Sequence, residues 1–397
     1  MRILLQTAGS RGDVAPFAAL ARRAAAQGHE VRLCVPRDAV LSVNAGGVDV
    51  VGLDVDFRAL AAAQGTDPWQ ALRSFRTTVA PAMRAFLLSA ARAAADYGPD
   101  VLVHHPKVLC APISAAALGV PRVRAELVPA VTPTRRFPAV GVVDRDLGPL
   151  NRLTYRASAG AERAFAPVLR AIRQEFGVPS RGALPPPALT VVPVSPALLP
   201  RPEDWPAHAH LTGAWYEDGR EEADARVSAF LAADGPVVYA GFGSMRQGDP
   251  RARARAVITA ARVTGHRVLV ATGWGGLAVP DDLLGDDLLV REEVPHADVL
   301  PRTVAAVHHG GVGTTHAVLR SGAVSVTVPC MGDQRFWGRL LHERGLAPPP
   351  VSGRPDAAAL ANAFRQAARY RPAVAVAARR VRAEDGVGRT LELLAAL

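Results

Sequence analysis

The residues with the greatest capacity for chemistry form one short run, His308-His309-Gly310-Gly311-Val312-Gly313-Thr314-Thr315. Glycines let a backbone approach a ligand closely, and the free N–H groups at the start of a helix favour an anion. Thr314 and Thr315 add hydroxyl donors, and His309 can donate a ring N–H to a phosphate oxygen. Because an apolar strand precedes the run and a helical pattern follows it, the sequence predicts a phosphate-binding loop here.

A carboxylate near the start of the chain is the second candidate. Asp13 follows a short apolar run at residues 2–7 and precedes a helical pattern that begins at about Val14. It either takes a proton from an attacking hydroxyl or caps the helix. A capping carboxylate has a low pKa and is a weak base. A base at this position therefore needs an acidic hydroxyl or acts late in the transition state.

Metal chemistry has weaker support. Two pairs of aspartates, Asp54 with Asp56 and Asp144 with Asp146, have the D-x-D spacing of sugar-nucleotide metal sites. Neither pair lies near the phosphate-binding loop in the predicted order of elements. The histidines and cysteines also lack H-E-x-x-H and C-x-x-C spacing. We predict no metal site.

Apolar runs alternate with helical patterns along most of the chain, which predicts an α/β fold of two Rossmann-like, doubly wound halves. Ligands of such sheets bind beyond the carboxyl ends of the strands, and here also in the cleft between the halves. Residues 356–396 have helical spacing throughout. The predicted strands are residues 2–7, 30–36, 48–53, 101–105, 122–127, 189–194, 236–241, 266–272, 288–291, 305–308 and 324–329.

A proline-rich stretch at residues 179–210 divides the two alternations. We interpret it as a short strand followed by an exposed connection. The predicted domains are therefore residues 1–210, residues 211–375 and a final segment at residues 376–397. Three arginines near a helix start in the second domain are interpreted as a solvated face: Arg251, Arg253 and Arg255.

The composition excludes several classes of protein. Hydrophobic residues make up 49% of the 397 residues, which is too apolar for a disordered chain. Three cysteines with apolar neighbours fit a reducing compartment and not a disulfide framework. The apolar stretches are too short for a membrane span, and the first is too short for a signal peptide. We expect a soluble, cytoplasmic protein.

The formal net charge of +10 raises nucleic acid as a partner, but the chain has no nucleic-acid-binding motif. Lys107 is the only lysine, so nearly all of the 46 basic residues are arginine. Residues 1–210 carry 24 basic and 16 acidic residues, and the remainder carries 22 and 20. We therefore expect no nucleic-acid partner. The charge reflects an arginine-rich genome or attracts an acidic acceptor or an anionic membrane surface.

Six segments, taken in order, resemble those of a known family. They are Gly9-Ser10-Arg11-Gly12-Asp13-Val14, Phe242-Gly243-Ser244-Met245, Ala271-Thr272-Gly273-Trp274, Val294-Pro295-His296, the loop from His309 to Thr315, and Gly332-Asp333-Gln334-Arg335-Phe336-Trp337. They identify the chain as similar to glycosyltransferases of the GT-B fold, family 1, in the branch of bacterial natural-product enzymes and sterol glucosyltransferases. The likeness covers the whole chain, and it implies that the final helix returns to the N-terminal, acceptor-binding domain.

The resemblance implies that the C-terminal domain binds a nucleoside diphosphate sugar. Val294 would offer backbone groups to the base. Glu293 stands where plant relatives carry a stacking aromatic residue, so stacking on the base comes from Trp274 or is absent. Asp333 and Gln334 would bind sugar hydroxyls, or only open a helix, or do both. The residues implied to hold the diphosphate are Ser10, Arg11, Ser244, His309, Gly311, Gly313 and Thr314.

Asp13 stands where plant relatives carry the histidine of a Gly-His-x-x-Pro pattern, and Gly12 and Pro16 keep that spacing. The resemblance therefore implies that Asp13 is the base of an inverting, metal-independent transfer. The sugar would pass from a TDP- or UDP-sugar to a hydroxyl of a natural-product aglycone, in antibiotic biosynthesis. The alternatives are a sterol or lipid glucosyltransferase, or a catalytically silent sugar-nucleotide-binding partner of another transferase.

We expect no cofactor besides the donor, and a monomer or homodimer. The acceptor pocket is predicted near residues 56–82 and 130–155, whose aromatic residues either line it or belong to the core. These residues, with one proline, are Phe57, Trp69, Phe75, Phe137 and Pro138.

Overall fold

The computed structural model describes residues 1–43, 46–62, 73–157, 159–216, 222–243, 248–273, 275–353 and 356–397. Within these ranges the chain forms two α/β units, each built on one parallel sheet. The predicted architecture of two doubly wound sheets is confirmed. No helix in these ranges is long and apolar enough to cross a membrane.

The first sheet has seven parallel strands in the order β3-β2-β1-β4-β5-β6-β7. Every residue of its central strand β4 is buried, as expected of a parallel strand covered by helices on both faces. The strands are β1 (Arg2–Gln6), β2 (Glu30–Pro36), β3 (Asp49–Leu53), β4 (Val101–His104), β5 (Arg122–Ala125), β6 (Leu189–Val192) and β7 (Ala209–Leu211).

The helices around the first sheet differ in length and regularity. The first of them buries Val14, Phe17 and Leu20 on the face toward the sheet. A turn of π-helix, Phe75–Val79, leads into the long third helix. The helices are α1 (Arg11–Ala26), α2 (Phe57–Ala62), α3 (Ala80–Tyr97), α4 (Ala111–Leu118), α5 (Asn151–Thr154), α6 (Ala159–Ala164) and α7 (Ala166–Glu175).

The second sheet has five parallel strands in the order β10-β9-β8-β11-β12. The strands are β8 (Val237–Gly241), β9 (Arg267–Ala271), β10 (Leu288–Arg291), β11 (Ala305–His308) and β12 (Val324–Thr327). The helices that follow β7 are α8 (Ala225–Ala232), α9 (Pro250–Val263), α10 (His296–Val299), α11 (Val312–Ser321), α12 (Gln334–Glu343), α13 (Ala357–Ala383) and α14 (Gly386–Ala395).

The connection after β6 is only partly exposed, so the sequence interpretation is wrong for its apolar residues. Leu198, Leu199 and Trp205 are buried and belong to the same hydrophobic cluster as Val238 and Phe242 of the second unit. The connection then ends in β7, which pairs with β6. The prolines obscured these apolar residues, which fill the space between the two sheets.

The end of the chain is not helical throughout, because α13 and α14 are separated at Glu384 and Asp385. The carboxylate of Asp385 accepts a hydrogen bond from the N–H of Gly388 (2.8 Å) and caps α14. Val387, Leu391 and Leu394 of α14 pack in one hydrophobic cluster with residues of β1 and α1. The last helix therefore packs on the first unit.

Each sheet changes winding direction between two adjacent central strands, β1 and β4 in the first and β8 and β11 in the second. The register places Gln6 beside His104, and Gly241 beside His308. The loops after these strands therefore start at the same edge of each sheet, where open α/β sheets bind ligands.

Candidate active site

Asp13 lies in the first turn of α1, just beyond β1. Its Oδ2 accepts a hydrogen bond from the backbone N–H of Ser10 at 2.9 Å. Its Oδ1 lies 3.0 Å from Nζ of Lys107 and 3.5 Å from Nε2 of His105. Oδ2 of Asp13 thus caps α1, and two side chains that follow β4, His105 and Lys107, face Oδ1.

The two groups after β4 control the ionisation of Asp13. Burial opposes ionisation, but Lys107 and His105 outweigh it and lower the pKa of Asp13 below its ordinary value. Burial lowers the pKa of His105 to about 3, so its ring is neutral at pH 7. Because Nδ1 accepts from the backbone N–H of Lys107 (3.1 Å), the ring proton is on Nε2, toward Asp13. The sequence analysis did not find these two residues.

The predicted phosphate-binding loop has the expected form of a strand, a glycine turn and a helix start. Gly310 has φ of +88°, and a Cβ there would lie 3.0 Å from the carbonyl oxygen of Gln334. Gly311 precedes α11, and a Cβ there would lie 2.5 Å from Nε2 of His309. The left-handed backbone of Gly310 therefore requires glycine, whereas a side chain at Gly311 would have to displace the ring of His309, which covers the turn.

Several buried polar atoms around this loop make no hydrogen bond to any described part of the chain. They are Nε2 of His308, Nδ1 of His309 and Oγ1 of Thr315. Buried polar groups ordinarily have a partner, so their concentration here suggests a ligand or water that pairs with them. Burial and the charge of Arg253 lower the pKa of His309 to about 4, so this ring acts as a neutral N–H donor.

Asp333 lies immediately before α12, but its side chain does not cap that helix. Its Oδ2 accepts from Nε1 of the buried Trp337 at 2.7 Å. Burial raises the pKa of Asp333, hydrogen bonds from Trp337 and the backbone of Val312 oppose the rise, and the charge of Asp13 adds to it. Asp333 thus lies by the start of α11 and within electrostatic range of Asp13.

Gln334 supports the turn before α12. Its Oε1 accepts from the backbone N–H groups of Cys330 (2.8 Å) and Met331 (3.0 Å). Gly313, at the exposed start of α11, and the half-buried Thr314 also keep the predicted place beside the loop. The structure thus gathers the loop, Asp333 and Gln334 on one side of the cleft.

Arg11, predicted to reach the diphosphate, crosses the cleft but forms an ion pair with Glu293, with Nη1 2.9 Å from Oε2. Both side chains are more than half exposed. The neighbouring Val294 is half-buried and packs against a buried cluster of the second unit that includes Tyr239, Leu269 and Val299. A second pair crosses between the units, because Arg335 of α12 lies 2.7 Å from Asp144.

Two predicted ligands of the donor, Ser244 and Trp274, lie outside the residues that the structure describes, as does Trp69 of the acceptor side. Phe137 is buried, and its ring lies 5.3 Å from that of Phe336, between centroids. It therefore joins the core rather than an open pocket.

The interpretation of the three arginines on α9 as one solvated face is wrong for Arg253. Arg255 is exposed and forms a two-bond ion pair with Asp282 (2.7 and 2.8 Å). Arg253 is only 6% exposed, and its Nη1 donates to the carbonyl of Gly276 at 2.7 Å. Its guanidinium also stacks over Phe242, 4.9 Å from the ring centroid. Residues two apart on a helix differ by about 200° and cannot share a face.

The aspartate pairs have structural partners. Asp56 accepts from the N–H of Ala59, Asp144 pairs with Arg335, and Asp146 accepts from Asn151. Across the described ranges, no three histidine, cysteine or acidic side chains are grouped so that they could hold a metal ion.

Two family models match this chain. Residues 3–126 match the glycosyltransferase family 28 N-terminal domain. Residues 218–365 match the UDP-glucoronosyl and UDP-glucosyl transferases. The two matches fall on the two units of the fold.

Curated relatives include O-mycaminosyltylonolide 6-deoxyallosyltransferase of Streptomyces fradiae, which is 35% identical over 423 residues. The alignment covers 98% of this chain and 95% of that relative. Glycosyltransferase GtfE of Amycolatopsis orientalis is 33% identical over 366 residues, which cover 87% of this chain and 85% of the relative.

The fold is also similar to the crystal structure of a glycosyltransferase of Streptomyces sp. SF2575 complexed with thymidine diphosphate. The TM-score is 0.65 at 20% identity, and the alignment covers 100% of both chains.

Proposed function

Because this chain belongs to the GT-B glycosyltransferases, in the family-1 branch that includes the antibiotic glycosyltransferases, we propose that it glycosylates a hydroxyl of a natural-product aglycone. The donor is a TDP- or UDP-sugar, and the anomeric carbon is inverted without a metal ion. The observation that carries the proposal is the position of Asp13 within electrostatic range of Asp333, which itself accepts a hydrogen bond from the backbone of Val312 at the start of α11.

The reaction is a single displacement. The acceptor oxygen forms a bond to the anomeric carbon while the bond from that carbon to the diphosphate breaks, and its electron pair leaves with the diphosphate. The proton of the acceptor hydroxyl passes to Asp13. Since the pKa of Asp13 is lowered, the proton moves late, when the attacking oxygen has become acidic.

The donor side supplies groups suited to a departing diphosphate. The start of α11 offers backbone N–H groups and its positive dipole end, and His309 offers a neutral N–H. Together these groups can stabilise the developing negative charge in place of a cation. The bound thymidine diphosphate in the structure of the Streptomyces relative supports a TDP-sugar as the first donor to test.

The acceptor side offers an apolar surface. Four large apolar side chains of residues 139–153 are exposed: Val142, Leu147, Leu150 and Leu153. The ion pair between Asp144 and Arg335 anchors this segment at the cleft. An apolar aglycone would cover these side chains, which supports a hydrophobic natural product over a purely sugar-like acceptor.

The test is turnover with TDP-glucose and UDP-glucose against a panel of polyketide, peptide and sterol aglycones. We expect transfer that survives EDTA and a product whose anomeric proton coupling shows inversion. A product with retained configuration would refute single displacement. Binding of the nucleotide without turnover on any acceptor would favour the silent-partner alternative.

Asp13→Asn tests the base directly, because the amide keeps the size of the side chain and the acceptor for the Ser10 N–H. We expect kcat to fall by about 10²–10⁴-fold, the usual contribution of a general base. The affinity for TDP, measured by calorimetry, should not fall. Turnover within a few-fold of the wild type would show that Asp13 is not the base.

A further inference from the structure

Lys107 forms an ion pair with the proposed base, although it lies 94 residues away in the sequence. Its Nζ donates to Oδ1 of Asp13 at 3.0 Å. Its side chain is 46% exposed, so the ammonium lies at the border of the protein and the cleft. In a chain whose 46 basic residues otherwise consist of arginine, this position has the one cation with a compact head and a flexible stem.

The other donors to Asp13 are fixed. His105 is 9% exposed, its ring is held by the N–H of Lys107, and its Nε2 lies 3.5 Å from the same Oδ1. The N–H of Ser10 holds Oδ2 from the backbone of the helix start. The hydroxyl of Ser10 also lies 3.4 Å from Oδ2. At Oδ1, where His105 and Lys107 meet, only the ammonium of Lys107 is on a side chain that is free to move into solvent.

The ion pair conflicts with proton transfer. An ammonium within hydrogen-bond distance favours the ionised carboxylate and makes it a weaker base. It also occupies Oδ1, the oxygen that does not cap α1. The ammonium must therefore leave Oδ1 before an acceptor hydroxyl can donate there.

The donor brings the strongest anion of the reaction into the cleft. Asp333, beside the start of α11, is within electrostatic range of Asp13. The charged or titratable groups that act on Asp13 are His105 and Lys107, which follow β4, and the charge of Asp13 in turn acts on Asp333 of the opposite unit. A diphosphate at the start of α11 would thus compete with Asp13 for the ammonium of Lys107.

We propose that Lys107 is a positioning residue that keeps Asp13 ionised in the empty cleft and moves its ammonium to the diphosphate when the donor binds. Donor binding then frees Oδ1 for the proton of the acceptor, while Lys107 itself stays protonated. The inference rests on the proposed function, in which Asp13 is the base. Asp13 can then accept the proton only after the diphosphate of the donor is bound.

The test compares two pH profiles, because kcat/KM reports ionisations of the enzyme form that binds the varied substrate. In the wild type, the acid limb of kcat/KM for the donor should lie at lower pH than the acid limb of kcat/KM for the acceptor, which is measured at saturating donor. Lys107→Met should move the donor limb up by about one pH unit or more and the acceptor limb much less. It should also weaken the binding of TDP several-fold.

Two matched variants control for the loss of charge and for the size of the side chain. Arg92→Met removes one cation from the same unit, at an exposed pair with Glu175, and should leave both limbs and the TDP affinity unchanged. Lys107→Arg keeps the charge and should leave the limbs near their wild-type positions.

The outcomes separate this inference from the proposed function. If both limbs of Lys107→Met move together, or neither moves, Lys107 is not released by the donor and the inference is overturned. If Asp13→Asn retains turnover, the assignment of the base itself is wrong, whatever Lys107→Met does.

Discussion

Arg253 and Arg255 are two residues apart on α9 and occupy opposite environments. Arg255 is exposed and pairs with Asp282, whereas Arg253 is buried against Phe242 and the carbonyl of Gly276. With burial, the charge of Arg253 helps to lower the pKa of His309, so the guanidinium lies near the phosphate-binding loop. A buried cation next to such a loop attracts a diphosphate more strongly than an exposed one.

Arg253→Met should therefore weaken the binding of TDP by about tenfold or more, since hydrogen bonds and contacts with a charged partner are the stronger ones. The loss of the donor to the Gly276 carbonyl should also cost roughly 1–3 kcal/mol of stability. Calorimetric titration with TDP and thermal unfolding measure the two effects. Arg255→Met is the matched control and should retain the wild-type affinity. Equal affinities for both variants would contradict a role for Arg253.

For single residues, the sequence predicts those whose contacts lie within one loop or one helical turn. His309 and its glycines lie within one loop, and Asp13 lies within one helical turn of Ser10, so their types and spacing are informative. His105 and Lys107 depend on the pairing of β1 with β4, which no local pattern specifies. The burial of Arg253 likewise depends on the loop that carries Gly276, from another strand.

The helix α14 is held to the connection after β7 by close backbone contact. A Cβ on Gly386 would overlap the carbonyl oxygen of Gly213. Nearby, Nε1 of Trp215 donates to Oγ1 of Thr390 at 2.9 Å, and both side chains are buried. The start of α14 therefore has no room for a larger residue.

Gly386→Ala should push α14 away from this connection and lower the stability by roughly 1–3 kcal/mol, the usual cost of overpacking a tight site. Gly160→Ala is the matched control, because a Cβ at this helical position meets no atom within 4 Å. It should stabilise slightly, by less than about 1 kcal/mol. Urea unfolding of both variants provides the measurement, and equal stabilities would contradict the close contact.

Most elements follow from hydrophobic periodicity. The strands β2, β10 and β11 have the predicted bounds, and the other predicted strands differ by one or two residues at an end. The strand that the sequence interpretation missed is β7, which has only three residues and follows several prolines. A strand this short has too few alternations to be distinguished from a loop, and its pairing with β6 determines its conformation.

Six histidines across both units are buried or half-buried, and they are neutral at pH 7. Burial is the largest cause of the lowered pKa in each, to about 4 for His316. The ring of His316 is fully paired in its neutral form, because Nε2 accepts from the N–H of Ser195 (3.1 Å) and Nδ1 contacts the carbonyl of Val312. The six are His104, His105, His296, His308, His309 and His316.

These histidines predict a loss of stability in mild acid. Below pH 6.5 the unfolded chain binds protons that the folded chain cannot, so the free energy of unfolding should fall as the pH falls toward 5. Each unit of lowered pKa is equivalent to about 1.4 kcal/mol once the pH lies below both values. Urea unfolding between pH 7.5 and 5 measures the slope. His316→Gln should reduce this slope by the equivalent of about one bound proton. An unchanged free energy of unfolding over this range in the wild type would contradict the prediction.

At the scale of the whole molecule, the alternation of strands and helices predicted two doubly wound sheets, and the structure confirms them. How the sheets pack together did not follow from the pattern. Phe137 contacts Phe336 across the units, and Trp205 of the proline-rich connection is buried beside Phe137. These contacts depend on tertiary packing, which periodicity within one segment does not encode.

The packing of α14 has a consequence for recombination between related enzymes. Its apolar residues share a core with β1 and α1, although they lie far from both in the sequence. In a chimera that exchanges only the first 210 residues, α14 of one enzyme would therefore have to pack against β1 and α1 of the other. Because we propose that the N-terminal half binds the acceptor, a crossover design that aims to change the acceptor should transfer residues 386–395 together with that half.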